Sequence, residues 1–273
     1  MSNSVNTNIG AIAALASLRT TDAVLGDAEK RVQTGYRVAD ARDDASVFSV
    51  AQGIRGNLQA FQAVQASLAN GVGLGGVTQS ALTGISNLLN NMQAKVTQLA
   101  DGSISASQRS IYTADVIAME GQLGNFIAQA NYNGANLLSL ASTSKTFLAD
   151  ADASSITMSA QSSVGAYHTT LVGTDYFTTA SLAVIGLGCL ATFAQVVATS
   201  LAQNASDTRT LRLQGQFVAN MSDASTLGLG ALVDADLGKA AAASQALQVK
   251  KQLGVQALSI ANSDPQAILG FLR

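Results

Sequence analysis

The sequence predicts a mainly α fold: a long antiparallel helical coiled-coil rod with a small β-hairpin and loop region in its middle. Three observations predict it. Stepping by seven from Val47 lands on Ile54, Phe61, Leu68, Gly75, Leu82, Leu89 and Val96, a repeat that one helix packed along a partner requires. One proline, no tryptophan and 5% aromatic residues among 273 suit helices better than a sandwich or barrel. Helical spacing then fails between Ser142 and Thr179 and resumes beyond.

The N-terminal segment, residues 1–44, places Val5, Ile9, Ile12 and Ala16 on one stripe, with Leu18, Leu25, Ala28 and Val32 on a shifted face. A helix of that size buries too little apolar area to fold alone. Between it and the long helix, residues 22–44 hold ten charged side chains, a charge-dense joint. Asp43 and Asp44, next to Arg42, close that joint, where carboxylates cap free N–H groups and meet the positive end of a helix dipole.

Residues 45–140 are read as bundle helices. The companion heptad positions include Val64, Ile85, Met92 and Leu99, so one helix runs from about Ala45 to about Leu99, roughly 80 Å at ~1.5 Å per residue. Gly71, Gly73, Gly75 and Gly76 interrupt it, each costing about 1 kcal/mol against alanine, and make sense where another backbone comes close. Asp101-Gly102-Ser103 ends this helix. A second follows through Tyr112, Val116, Met119, Leu123, Phe126 and Ala130, until Asn131-Tyr132-Asn133-Gly134 turns the chain.

Residues 141–180 are read as a short hairpin and loop region, with strands at 145–149 and 155–159 and loop for the rest, His168 included. Residues 181–230 resume as a bundle helix through Leu182, Ile185, Cys189, Phe193 and Val196. In 231–273, Ala242, Ala246, Val249, Leu253, Ala257 and Ile260 form a stripe like that of the N-terminal helix. The two terminal helices have each other, and copies from neighbouring chains, as natural partners.

Composition narrows the function. Charged residues make up 12%, about half the usual ~25%, which leaves uncharged surface and favours association. A net charge of −2 without a cationic cluster argues against nucleic acid. With a single histidine, neither a His-dependent triad nor a multi-His zinc site is available. No catalytic residue, metal site or cofactor is expected. Residues 176–206 are uncharged and long enough to span a bilayer, but Gly186, Gly188, Thr192 and Gln195 favour a protein-packing surface, so no membrane span is expected. The first residues lack a basic and an apolar segment, so no cleaved signal is expected.

At the joint, Arg31-Val-Gln-Thr-Gly35-Tyr-Arg37 followed by Ala41-Arg42-Asp43-Asp44-Ala45 resembles the flagellin signature, Ser-Gly-x-Arg leading into Ala-Lys-Asp-Asp-Ala. Asn131-Tyr-Asn-Gly-Ala-Asn-Leu-Leu138 is similar to the family's Phe-Asn-Gly-x-x-Leu-Leu. Gln248-Val-Lys-Lys-Gln252, Ala257-x-x-Ile-Ala-Asn262 and Pro265-Gln-x-Ile-Leu269-x-x-Leu272-Arg273 resemble the flagellin C-terminus. The resemblance implies a short flagellin without large outer domains, polymerising into the extracellular bacterial flagellar filament. It implies that Val5, Ile9, Ile12, Ala16, Leu25, Val32, Ala246, Val249, Leu253, Ile260, Leu269 and Leu272 pack the filament core, while Val47, Ile54, Phe61, Leu68, Leu82, Leu89 and Val96 pack the bundle. The implied partners are further copies or other flagellins, the flagellar export apparatus, an export chaperone, and the filament cap and junction proteins.

Leu213-Gln-Gly-Gln-Phe217 departs from the family's Leu-Gly-Ala-x-Gln-Asn-Arg, and Thr34 and Tyr132 replace Ser and Phe. At Lys95-Val-Thr97-Gln98, the segment read by the vertebrate flagellin receptor has Arg, x, Arg and Glu instead. A hook–filament junction protein shares similar termini and is the nearest alternative. A membrane-active amphipathic protein is a more distant one.

Overall fold

The computed structural model describes residues 7–270, with side chains as far as Ser263. Six helices and two short hairpins follow in chain order: α1 (Ile9–Thr34), α2 (Ala45–Ala100), α3 (Ala106–Gln129), β1 (Asn131–Tyr132), β2 (Ala135–Asn136), β3 (Lys145–Leu148), β4 (Ser155–Met158), α4 (Ser162–Val172), α5 (Ala180–Val233) and α6 (Leu237–Gly270). The chain divides into two compact units. One comprises Met1–Gly56 with Ala224–Arg273, the other Asn57–Asp223.

In the terminal unit, α1 lies along α6. Asn8 caps α1 through its side-chain oxygen on the Ala11 N–H, 2.9 Å, and donates its amide to the Ala261 carbonyl, 2.6 Å. Gly35 closes α1 with φ +74°, the left-handed C-terminal cap that glycine adopts without strain. At the other end of the pair, the stretch after α1 is stitched to the stretch before α6. Arg37 N–H donates to the Val233 carbonyl at 2.7 Å and Ala235 N–H to the Gly35 carbonyl at 2.9 Å. Asp236 caps α6 by accepting from Lys239 N–H, 3.0 Å.

The larger unit is built on the heptad of α2. Every position of the three-four alternation from Phe61 through Val64, Leu68, Gly71, Gly75, Thr78, Leu82, Ile85, Leu89, Met92 and Val96 to Leu99 is buried. One apolar core joins the second half of α2 to α3, α4 and the first half of α5, through Leu123, Val164, Leu190, Phe193 and Val197. A smaller one joins Phe61, Val64, Leu68 and Leu74 to Leu137, Met158, Leu211 and Val218. Ile9–Thr34 and Ala180–Val233 are each long and apolar enough to cross a membrane. In α5 the inward face of that run (Ala183, Leu190, Phe193, Val197) is fully buried in the larger unit.

Asn133 and Gly134, at φ 50° and 79°, form the two-residue turn of the β1–β2 hairpin, the Asn-Gly pair that a type I′ turn favours. The β3–β4 hairpin pairs Lys145 with Met158 through Leu148 with Ser155, matching the strands expected at 145–149 and 155–159. It is pinned by Leu148 N–H on Ser67 Oγ, 3.0 Å, and by Gln214 on the Ala149 carbonyl, 2.7 Å.

Part of the region expected as loop is helical. Ser162–Val172 forms α4, and His168 sits on it half-buried, with a ring nitrogen 3.3 Å from the Glu120 carbonyl. The segment Ser-Ser-Val-Gly-Ala-Tyr-His-Thr-Thr-Leu-Val is poor in strong helix formers. It is held by burial of Val164, Gly165 and Leu171 rather than by propensity.

The glycines of α2 also differ in kind from the close backbone approach expected. A Cβ on Gly71 would lie 2.8 Å from Leu211 Cδ1, one on Gly73 2.7 Å from the Tyr132 ring, and one on Gly75 against Thr208 Oγ1. Side chains from other elements drop into these gaps. Gly76 faces open space.

Candidate functional site

The α1–α6 pair carries one covered apolar face. Thr21, Leu25 and Ala28 are buried on α1, and Leu18 lies where a Cβ on Gly254 of α6 would meet it at 3.3 Å. Ala240 is buried on α6, with Leu247, Gly254 and Leu258 half-buried. Asp22 and Lys251 add an exposed ion pair at 3.0 Å. Each helix thus covers one face with the other.

A second apolar stripe on each helix has no cover among the described residues. Ile9, Ile12 and Ala16 on α1, and Ala246, Val249, Leu253 and Ile260 on α6, are all exposed, with Ile9 at 63% and Ile260 at 65%. At about 100° per residue, these positions fall roughly opposite the covered face on α1 and well to one side of it on α6. Leu25 belongs to the covered face, and Val32 is exposed near the end of α1. Val5 and Leu272 lie outside the described residues, and for Leu269 only its place in α6 is described.

The joint is a compact ionic turn. Lys30 Nζ bridges Asp43 at 2.7 Å and Asp40 at 3.0 Å, and Arg42 pairs with Asp40 at 3.1 Å. Asp44 caps α2, accepting from Ser46 and Val47 N–H, both at 3.0 Å. Asp43 does not cap that helix. Its carboxylate folds the loop by accepting from Ala39 N–H, 2.9 Å, and Asp40 N–H, 3.1 Å. The hydrogen bond from Lys30, with those two backbone bonds, holds the Asp43 carboxyl below its usual range, and Arg42 followed by Lys30 does the same for Asp40. Because both folded values are depressed, the stabilisation is present at neutral pH and fades as pH falls through the acidic range. A polar cleft of about 460 Å³ lined by Asp27, Lys30, Arg31, Tyr36, Arg37, Arg42 and Asp43 opens at this joint.

Among the heptad residues, Phe61, Leu68, Leu82, Leu89 and Val96 are buried in the larger unit. Val47 and Ile54, in the terminal unit, are half-buried, and Val50 is exposed while Ala51 is buried. Among the described residues, no group of three or more His, Cys, Asp or Glu side chains is placed to hold a metal ion. Sequence reasoning did not single out Glu120, which is 7% exposed in the core of the larger unit. The signal was its place in the four-three-four step Val116, Glu120, Leu123, Ile127, the buried face of α3, which its charged side chain disguises.

Comparisons with known proteins agree with this arrangement. The bacterial flagellin N-terminal helical region matches residues 5–143, and the bacterial flagellin C-terminal helical region matches residues 199–272. Flagellin FljO of Caulobacter vibrioides is 35% identical over 99% of each chain, and a flagellin of Brucella melitensis is 32% identical over 99% of each. The crystal structure of Bacillus cereus flagellin shares the fold, with a TM-score of 0.50 and 21% identity over 59% of this chain and 94% of that one. With family matches at both ends and full-length relatives of nearly the same size, the chain belongs to the bacterial flagellin family.

Proposed function

We propose that this chain is a structural subunit that polymerises into the extracellular filament of a bacterial flagellum, alone or with other flagellins. One observation carries the reading: α1 and α6 cover one apolar face with each other and leave a second, on their outer sides, uncovered among the described residues. Two different sticky faces, one on each helix of a pair, suit head-to-tail contacts, and contacts of that kind build open helical polymers rather than closed dimers. Full-length relatives that are flagellins support a filament subunit over a junction protein. The role is structural rather than catalytic. The partners that follow from family membership are the flagellar export apparatus, through which the chain leaves without signal cleavage, an export chaperone, and the cap and junction proteins. The apolar run of α5 serves as core packing, not as a membrane span.

The test is seeded elongation. Ile12→Asp and Leu253→Asp each place a charge on an uncovered stripe without touching the α1–α6 seam. Each is expected to slow elongation from filament fragments at least about tenfold, since burying one such side chain is worth roughly 1.5–3 kcal/mol, while monomer helicity stays unchanged. Removing residues 1–32 or 238–273 is expected to abolish elongation. Wild-type elongation by any of these variants would sink the reading.

A further expectation concerns recognition by the vertebrate flagellin receptor. Lys95 is engaged by Asp115 at 3.0 Å and lies over the Tyr112 ring, and Thr97 Oγ1 donates to the Gln93 carbonyl, 2.7 Å. Neither offers the planar fork of an arginine. Purified monomer is therefore expected to signal weakly in reporter cells, and strong signalling would refute this.

A further inference from the structure

Glu120 is the one strongly buried carboxylate among the described residues, and its surroundings give it no counter-ion. It projects from α3 between Val116 and Leu123, both fully buried, and its Oε1 has no hydrogen-bond partner. The chain from α4 to the start of α5 lies across this part of α3. His168 meets the Glu120 carbonyl at 3.3 Å and sits where a Cβ on Gly124 would touch its ring at 3.1 Å. Thr113 Oγ1 donates to the Phe177 carbonyl, 3.0 Å, and Leu171 and Phe177 are buried in the same core.

The charged and titratable groups around it are few. From α4 comes His168, and from the link after it Asp175, whose negative charge opposes ionisation of Glu120. The apolar first half of α5 brings no charge before Asp207 and only Cys189 besides. On α2 the nearest cation in sequence register is Lys95, already held by Asp115. On α3 itself Arg109 is spent on the Leu99 and Asp101 carbonyls.

We propose that residues 162–179 form a strap over α3 that is closed while Glu120 is protonated and loosens when it ionises. A neutral carboxyl is tolerated under the strap. A carboxylate there is a desolvated charge beside a second one, and lifting the strap lets water reach it. Burial first, then the Asp175 charge, raises the Glu120 pKa from 4.5 to about 7. Because the closed-state value is raised, closure is fully favoured below the open-state value and is lost as pH rises through about 7. With those two values, the fraction of open strap increases about tenfold between pH 6 and pH 8. The larger unit then presents a different surface in neutral and mildly alkaline surroundings.

Hydrogen exchange on the full-length monomer, corrected for intrinsic rates, reads the strap directly. Protection of amides in 162–179 is expected to drop about tenfold from pH 6 to pH 8, while α2 amides between Leu82 and Leu99 hold steady. Glu120→Gln should flatten that profile with the strap closed throughout. Asp175→Asn should shrink the step and move its upper limit to lower pH, because Glu120 ionises more readily under the closed strap once its like-charged neighbour is gone. His168→Asn removes the imidazole that meets the Glu120 carbonyl and should leave the pH step in place. The proposal is overturned if strap protection is the same at pH 6 and pH 8. It is equally overturned if Glu120→Gln keeps the wild-type step, or if the step disappears in His168→Asn alone.

Discussion

Gly165→Ala is expected to destabilise the larger unit by about 3 kcal/mol or more, at the upper end of what overpacking a core costs. The reason is that the added methyl has only backbone to meet: Leu140 N at 2.5 Å, Leu138 O at 2.8 Å and the Ser139 carbonyl carbon at 2.9 Å. That backbone cannot step aside. Asn136 Oδ1 accepts from both Leu138 and Ser139 N–H, and the Leu137 carbonyl takes hydrogen bonds from Gln161 N–H and Ser142 Oγ. Leu137 and Leu138 themselves are fully buried. For a unit of this size, such a loss lowers the melting temperature by roughly 6–12 °C. Gly188→Ala on α5, where a methyl would meet nothing within 4 Å, is the matched control and should be neutral or slightly stabilising. If calorimetry finds the two variants within 1 kcal/mol of each other, α4 is not seated on residues 138–140 as described.

The neighbouring pair Gly75 and Gly76 should respond with opposite signs. Gly75 is buried against α5: Asn204 donates to its carbonyl at 3.0 Å, and a Cβ would collide with Thr208 Oγ1 and press on Met158 Cε at 3.1 Å. Gly75→Ala is therefore expected to cost about 1–3 kcal/mol. At Gly76 the space is open, and alanine should add up to about 1 kcal/mol through helix propensity alone. The collision is with a hydroxyl that has no hydrogen-bond partner in its buried position. Thr208→Ala should consequently be mild, and combined with Gly75→Ala it should recover most of the loss. A urea-unfolding double-mutant cycle measures this directly, and strict additivity of the two substitutions would show that Thr208 is not what confines Gly75.

How much of this was legible beforehand varies with the range of the interaction. The α2 heptad was readable because it is a local period: one face of a continuous helix stays buried from Phe61 to Leu99, and the sequence writes that face every three and four residues. Beyond that stretch the same count misleads slightly, since Ala51 rather than Val50 is buried near the start of α2. The Asn133-Gly134 turn and the β3–β4 hairpin were readable for the same reason, as backbone preferences expressed within a few residues. The helix α4 was not. Its residues prefer other conformations, and only burial against α3 and residues 138–140 makes it helical. Asp43 and Asp44 show the limit at one turn of chain. The pattern placed both before a helix, but it is Lys30, on α1, that draws Asp43 away from the cap.

For the terminal helices, the order of residues alone determined that each would be an apolar-striped helix without enough surface to fold by itself. It could not say which stripe the chain would cover. Antiparallel docking of α1 on α6, anchored by Asn8 on the Ala261 carbonyl, turned Leu25, Ala28 and Ala240 inward. The same docking left the Ile9–Ile12 and Val249–Leu253–Ile260 rows outward. Periodicity fixes the spacing of a stripe because it depends on one helix's own geometry. Which stripe meets water is a property of the pair, because burial is decided by what lies on the other side.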